Sequence, residues 1–118
     1  MTKQLNELVL HNRAHATTLW INRLFDVIEA EDTEARIDLS CGERELIIVA
    51  DTHTVFHIDI AADYSTLELR SPLSGLTVFT PSDSGKDWVS RSKVTLTVML
   101  ATELNYHTGG EFTLNLGS

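Results

Sequence analysis

Between residues 3 and 31 apolar side chains recur every three or four positions: Leu5, Leu8 and Val9, then Ala16, Leu19 and Trp20, then Leu24, Val27 and Ile28. That spacing draws a single apolar stripe along a helix, and neither Gly nor Pro interrupts it. The acids of Glu31-Asp32-Thr33-Glu34 end the pattern and stop the helix near Ala30. From residue 36 the period falls to two. Ile37 and Leu39 begin a short strand that turns at Cys41-Gly42-Glu43, and Glu45 to Ala50 is an apolar run that turns at Asp51-Thr52-His53. Thr54 to Ile60 then alternates, with Phe56, Ile58 and Ile60 on one face and Val55, His57 and Asp59 on the other. Thr66 to Ser71 places Leu67 and Leu69 inward and Glu68 and Arg70 outward. Leu76 to Thr80 and Asp87 to Ser90 read as two more strands, separated by a loop at "PSDSG" (81 to 85).

Helical spacing returns with Leu96, Met99, Leu100, Glu103 and Leu104, capped by Ser92 or Thr95 and stopped by Thr108-Gly109-Gly110. The tail alternates Phe112, Leu114 and Leu116, which predicts that it docks rather than waves free. Strands in an unbroken series are joined by tight turns, so the sheet is expected to be antiparallel. Its half-apolar face needs a cover, and the two amphipathic helices are the candidates. The expectation is one α+β domain over residues 1–118, a two-layer sandwich with two helices on one face of a five- to six-stranded antiparallel sheet.

Composition narrows the partners. The formal net charge of −8 over 118 residues disfavours nucleic acid and anionic membrane surfaces and favours metal ions or basic protein patches. No apolar run is long enough to insert into a membrane. The opening residues carry neither the apolar core of a signal peptide nor an Arg/Ser-rich presequence. Cys41 has no partner for an internal disulfide, which fits a reducing compartment.

Four pieces in register carry a family resemblance: "LELRSPLSG" (67 to 75), "KDWVS" (86 to 90), "LATEL" (100 to 104) and the aromatic-led "FHIDI" (56 to 60). The chain resembles frataxin and its bacterial homologues over about residues 19 to 116. The resemblance implies a non-catalytic, iron-binding regulator of iron–sulfur cluster assembly. Such a protein docks on the complex of cysteine desulfurase and scaffold protein, binding ferrous or ferric iron weakly on its surface and using no organic cofactor. It implies the mitochondrial matrix in a eukaryote and the cytoplasm in a bacterium.

In that family the iron-binding surface is the acidic end of the first helix with the edge of the first strand. Asp26, Glu29, Glu31, Asp32, Glu34 and Asp38 occupy that stretch here; with one base, Arg36, they leave a net −5 across 13 residues. Hard cations prefer carboxylate oxygens, and crowded acids repel one another until a cation arrives. The plain alternative is a solvated acidic face that only aids solubility, or a handle for a basic partner. Neutralising Asp26, Glu29, Glu31 and Asp32 together is expected to weaken iron binding and, by relieving repulsion, to raise stability slightly.

The resemblance also implies a partner-binding surface at Asp59, Thr66, Glu68, Arg70 and Val78, on the sheet's open face. There the pattern breaks. The family's exposed tryptophan, its glutamine, its asparagine and its arginine are matched by Glu68, Thr66, Asp59 and Val78. A central tryptophan dominates an interface, so its loss implies a partner with a basic contact or another partner altogether. A frataxin-fold accessory subunit of a respiratory complex such as complex I would not need it. A divalent-metal buffer without a fixed partner is a third reading.

Other residues change the picture little. His11 and His15 lie i,i+4 on the first helix, a spacing that can share a metal. His57 and Asp59 share a strand face, as an ion pair, a second cation site or plain solvated residues. Carboxylates near Cys41 dull its thiol. No phosphate-binding Gly loop or Ser/His/Asp triad order is present, and Trp20 and Trp88 read as core.

Overall fold

The computed structural model describes the backbone of residues 2–83 and 87–116, with side chains from residue 8 onward within those spans. Helix α1 (Thr2–Glu31) leads into six strands: β1 (Ile37–Cys41), β2 (Glu45–Ala50), β3 (Thr54–Ile60), β4 (Leu67–Ser71), β5 (Gly75–Pro81) and β6 (Trp88–Ser90). Helix α2 (Leu96–Thr108) follows, and residues 109 to 116 form an irregular tail. The strands pair in chain order, each antiparallel to the next, as a simple meander. Both helices pack on one face, as the alternation required. Residues 84 and 85 of the expected 81–85 loop, Lys86 of "KDWVS", and the Leu5 side chain of the apolar stripe lie outside the described residues.

The covered sheet face supplies Leu46, Ile48, Ala50, Phe56, Ile58, Leu67, Leu69, Phe79 and Trp88 to the core. Helix α1 adds Trp20, Ile21, Leu24 and Ile28, and α2 adds Leu96, Leu100, Ala101 and Leu104. Trp20 and Trp88 meet edge to face, with ring centroids 6.3 Å apart, the geometry that aromatic quadrupoles favour. Both tryptophans are core, as read.

The apolar stripe of α1 is not buried throughout. Leu8, Val9 and Leu19 are exposed, and burial starts at Thr17 and Trp20. Leu19, between buried Thr17 and Trp20, is on the outward side of the helix; for Leu8 and Val9 the reason is length. A 30-residue helix runs about 45 Å, whereas strands of five to seven residues cover about 17–24 Å. The N-terminal half of α1 therefore overhangs the sheet.

Helix α2 starts at Thr95, whose hydroxyl accepts a hydrogen bond from the Val98 N–H, and ends at Gly109, which adopts φ 70°. That left-handed conformation is one glycine reaches without strain. The tail then folds back. Asn105 clamps Phe112 twice, accepting from its N–H at 2.6 Å and donating to its carbonyl at 2.9 Å. Phe112 and Leu114 are buried, and Leu116 packs against the core.

Candidate functional site

Two surfaces carry the sequence-derived candidates: an acidic corner where α1 meets β1, and the open face of the sheet. At the corner, the structure divides the six acids into two groups. Glu31 accepts from the Thr113 N–H (2.8 Å), the Thr113 hydroxyl (2.7 Å) and the Leu114 N–H (3.0 Å), fastening the tail to α1. Burial alone would raise its pKa, but these hydrogen bonds from Leu114 and Thr113 outweigh it and hold the carboxyl below the ordinary glutamate range. Asp32 accepts from the backbone N–H groups of Arg36 and Ile37, fixing the entry into β1. Glu34 pairs with Arg36 at 3.0 Å, and the Arg36 guanidinium also donates to the Thr108 carbonyl at the end of α2. The C-terminal carbonyls of a helix lack intrahelical donors, so this contact satisfies one of them.

Asp26, Glu29 and Asp38 are exposed, and among the described residues nothing pairs with their carboxylates. Asp26 and Glu29 stand three apart on α1, one turn along. Asp38 lies on the edge strand β1, between the inward Ile37 and Leu39, so it points away from the helices. The acids thus wrap around a corner rather than converge on a point. Beside them a cleft is lined by Glu31, Asp32, Glu34, Arg36, Gly110 and Glu111, among others. It is a region of oxygen donors and negative potential, without a preformed cage.

On the open sheet face the registers decide which residues meet. Glu45, Asp59, Glu68 and Val78 form one cross-strand row over β2 to β5. Ile47, His57, Arg70 and Leu76 form the next. Asp59, Glu68, Arg70 and Val78 are therefore neighbours, and Thr66 stands immediately before β4. Arg70 contacts Asp59 through Nε at 3.3 Å, and His57 Nε2 lies 3.2 Å from Asp59. Repulsion between the register partners Glu68 and Asp59 is thereby relieved in part by Arg70. Glu45 was not among the sequence candidates; His57 Nε2 lies 3.0 Å from its carboxylate. Leu76, Val78 and Val55 are exposed on the same face, giving a mixed surface of acids and aliphatics with no aromatic among these positions.

The "SPLSG" turn at the top of this face has a structural task. Ser71 Oγ accepts from the Leu73 and Ser74 N–H groups, at 3.0 and 3.2 Å, and donates to Glu103 of α2. Ser74 donates to the other Glu103 oxygen at 2.9 Å. Gly75 closes the turn with φ 79°. Ser71 and Glu103 are buried, so the polar turn is tied to the helix layer beneath it. Two of the four pieces that carry the family resemblance, "LELRSPLSG" and "LATEL", touch each other here.

Among solved structures the chain is similar to a frataxin from Psychromonas ingrahamii, described as a model for stability modulation within the CyaY protein family. The TM-score is 0.78 over 90% of this chain and 97% of that one, at 13% sequence identity. The fold is that of frataxin. No protein-family model and no curated protein sequence matches the chain. The frataxin fold is shared in its two helices and its open six-stranded sheet.

Proposed function

We propose that this protein is a frataxin-like, non-catalytic regulator of iron–sulfur cluster assembly that binds iron weakly at the α1–β1 corner. The observation that carries the reading is the set of carboxylates at that corner of a frataxin fold, Asp26, Glu29 and Asp38, that are unpaired among the described residues. Their donors are all oxygen, which suits hard and borderline cations, and no imidazole or thiolate among them would fix one ion tightly. Weak, multi-point loading follows, a behaviour suited to an iron-dependent contact rather than to storage. In this reading a cysteine desulfurase and its scaffold protein are the partners, met by the open sheet face at Asp59, Thr66, Glu68, Arg70 and Val78.

A second reading is favoured by that same face. With Glu68, Thr66, Asp59 and Val78 in place of the family's tryptophan, glutamine, asparagine and arginine, it lacks the aromatic anchor expected of a desulfurase contact. A non-catalytic subunit of a respiratory complex needs the fold without that anchor. Co-purification with a cysteine desulfurase, combined with ferrous-iron titration of the amide signals from Asp26 to Asp38, tests both. Iron broadening there that is lost in a D26N/E29Q/D38N variant, together with desulfurase capture, supports the regulator. Absence of both, with the protein found only inside a respiratory assembly, supports the subunit.

A further inference from the structure

We propose that Glu45, His57 and Asp59 form a mononuclear site for a divalent transition-metal ion on the open face of the sheet. The site is separate from the acidic corner and does not rest on a role in iron–sulfur assembly. Among the described residues it is the one group of three or more His, Cys, Asp or Glu side chains whose ligand atoms lie mutually within 4.8 Å. His57 Nε2 stands 3.0 Å from Glu45 Oε2 and 3.2 Å from Asp59 Oδ1. Adjacent ligands of a six-coordinate ion with bonds of about 2.1 Å sit roughly 3.0 Å apart, and those of a tetrahedral one roughly 3.4 Å. His57 Nε2 therefore already stands at the spacing of an adjacent ligand position from each carboxylate, and the two carboxylates offer oxygens within 4.8 Å of each other.

The backbone holds them there. Glu45 and Asp59 are register partners across β2 and β3, and His57 projects from the same face two residues along. Both strands are interior to the sheet, so no loop has to move to assemble the set. Arg70 Nε holds Asp59 Oδ2 at 3.3 Å. That contact orients the carboxylate and leaves Oδ1 turned toward His57, the kind of outer support that tunes metal ligands. A hollow lined by Glu43, Arg44, Glu45, Asp59 and Ile60 adjoins the trio and leaves room for water on the remaining positions.

Charge supplies an independent argument. Glu45, Asp59 and Glu68 oppose one another in a single row across three strands, and directly opposed like charges destabilise a sheet. Arg70 offsets one of them. With His57 neutral, the five side chains carry a net −2, which one divalent ion cancels. One imidazole and two carboxylates form a borderline donor set, matched to Fe(II), Mn(II), Co(II) or Zn(II) rather than to a soft monovalent ion.

Zn(II) is the probe, added to the full chain. Imidazole nitrogen NMR reports which ring binds, and calorimetry reports affinity. Zinc is expected to shift the His57 Nε2 resonance, with H57Q and E45Q each weakening binding at least about tenfold. The corner variant D26N/E29Q/D38N retains the shift. All three trio side chains are partly exposed, so the substitutions leave the fold intact, and unchanged melting curves check this. Zinc that leaves the His57 ring unmoved, that shifts His11 and His15 instead, or that binds H57Q as tightly as the parent chain overturns the site.

Discussion

Glu103→Ala is expected to cost about 3 kcal/mol of stability. Glu103 is 4% exposed and takes hydrogen bonds from the hydroxyls of Ser71 and Ser74. Hydrogen bonds to a charged acceptor contribute about 1.5–3 kcal/mol each. The Ser71 bond is buried and lies at the upper end of that range. Ser74 is exposed and can turn its hydroxyl to water, so its share is about 0–1 kcal/mol. Ser71→Ala is expected to cost a similar amount by a different route. It removes the acceptor for two backbone N–H groups and leaves a buried carboxylate with one partner. Because the two substitutions break the same bond, their effects do not add; the double variant should show a coupling energy of about 1–2 kcal/mol. Urea unfolding of the four proteins measures this, with the midpoint shifting at constant slope. Melting temperatures should fall by roughly 10 °C in each single variant, from the usual scaling for a domain of this size. A coupling energy below about 0.3 kcal/mol would refute the proposition that the turn and helix act as one unit.

Removing residues 112 to 116 should cost about 3–5 kcal/mol, because Phe112 and Leu114 are buried and each contributes roughly 1.5–3 kcal/mol; an unchanged denaturation midpoint contradicts the docked tail. Glu31→Gln should cost about 1 kcal/mol near neutral pH, discounted for its partial exposure. Because the folded pKa of Glu31 is depressed, its contribution is present above the unfolded value near 4.5 and is lost as pH falls through the lower folded value. The gap between parent and variant should therefore close in acid, and a gap that persists at low pH rules the linkage out. Neutralising Asp26, Glu29, Glu31 and Asp32 together should lower stability rather than raise it, reversing the expectation from charge alone, since Glu31 holds the tail and Asp32 holds the entry to β1. The triple variant D26N/E29Q/D38N, which spares both, should be at least as stable as the parent in low salt, and thermal melts of the two variants separate these cases.

The fold was legible because its elements are strongly patterned. The alternation at Phe56, Ile58, Leu67 and Leu69 announced inward faces, and the helical spacing of Leu96, Leu100 and Leu104 announced a cover for them. Thr95 and Gly109 marked the ends of α2 through ordinary capping chemistry. The overhang of α1 was not legible, since a stripe of apolar residues shows which face is greasy but not how much sheet lies beneath it. Leu8 and Val9 have the spacing of buried residues and no partner layer, whereas Leu19 stands beside buried Trp20 on the outward side of the helix.

The functional surfaces divide in the same way. Acidity at Asp26 to Asp38 is a property of local composition, so it could be read directly. Which of those acids are already engaged could not be, because the partners of Glu31 are 82 and 83 residues away along the chain. Glu45 escaped notice for a related reason. It opens an apolar run and has no acidic neighbour on its own strand face, so its closeness to His57 and Asp59 depends on the β2–β3 register. The three-residue turn from Asp51 to His53 sets that register, pairing Ala50 with Thr54 and hence Glu45 with Asp59.

Period and capping by themselves determined the helices, the strands and the antiparallel order, because each depends on residues within a few positions of one another. Only the tertiary structure decided which carboxylates hold the protein together and which are left facing solvent. The distinction lies in contacts such as Glu31 with Thr113, Ser71 with Glu103, and His57 with Glu45. Each joins segments whose separation is settled by strand register or layer packing, and no local pattern encodes it.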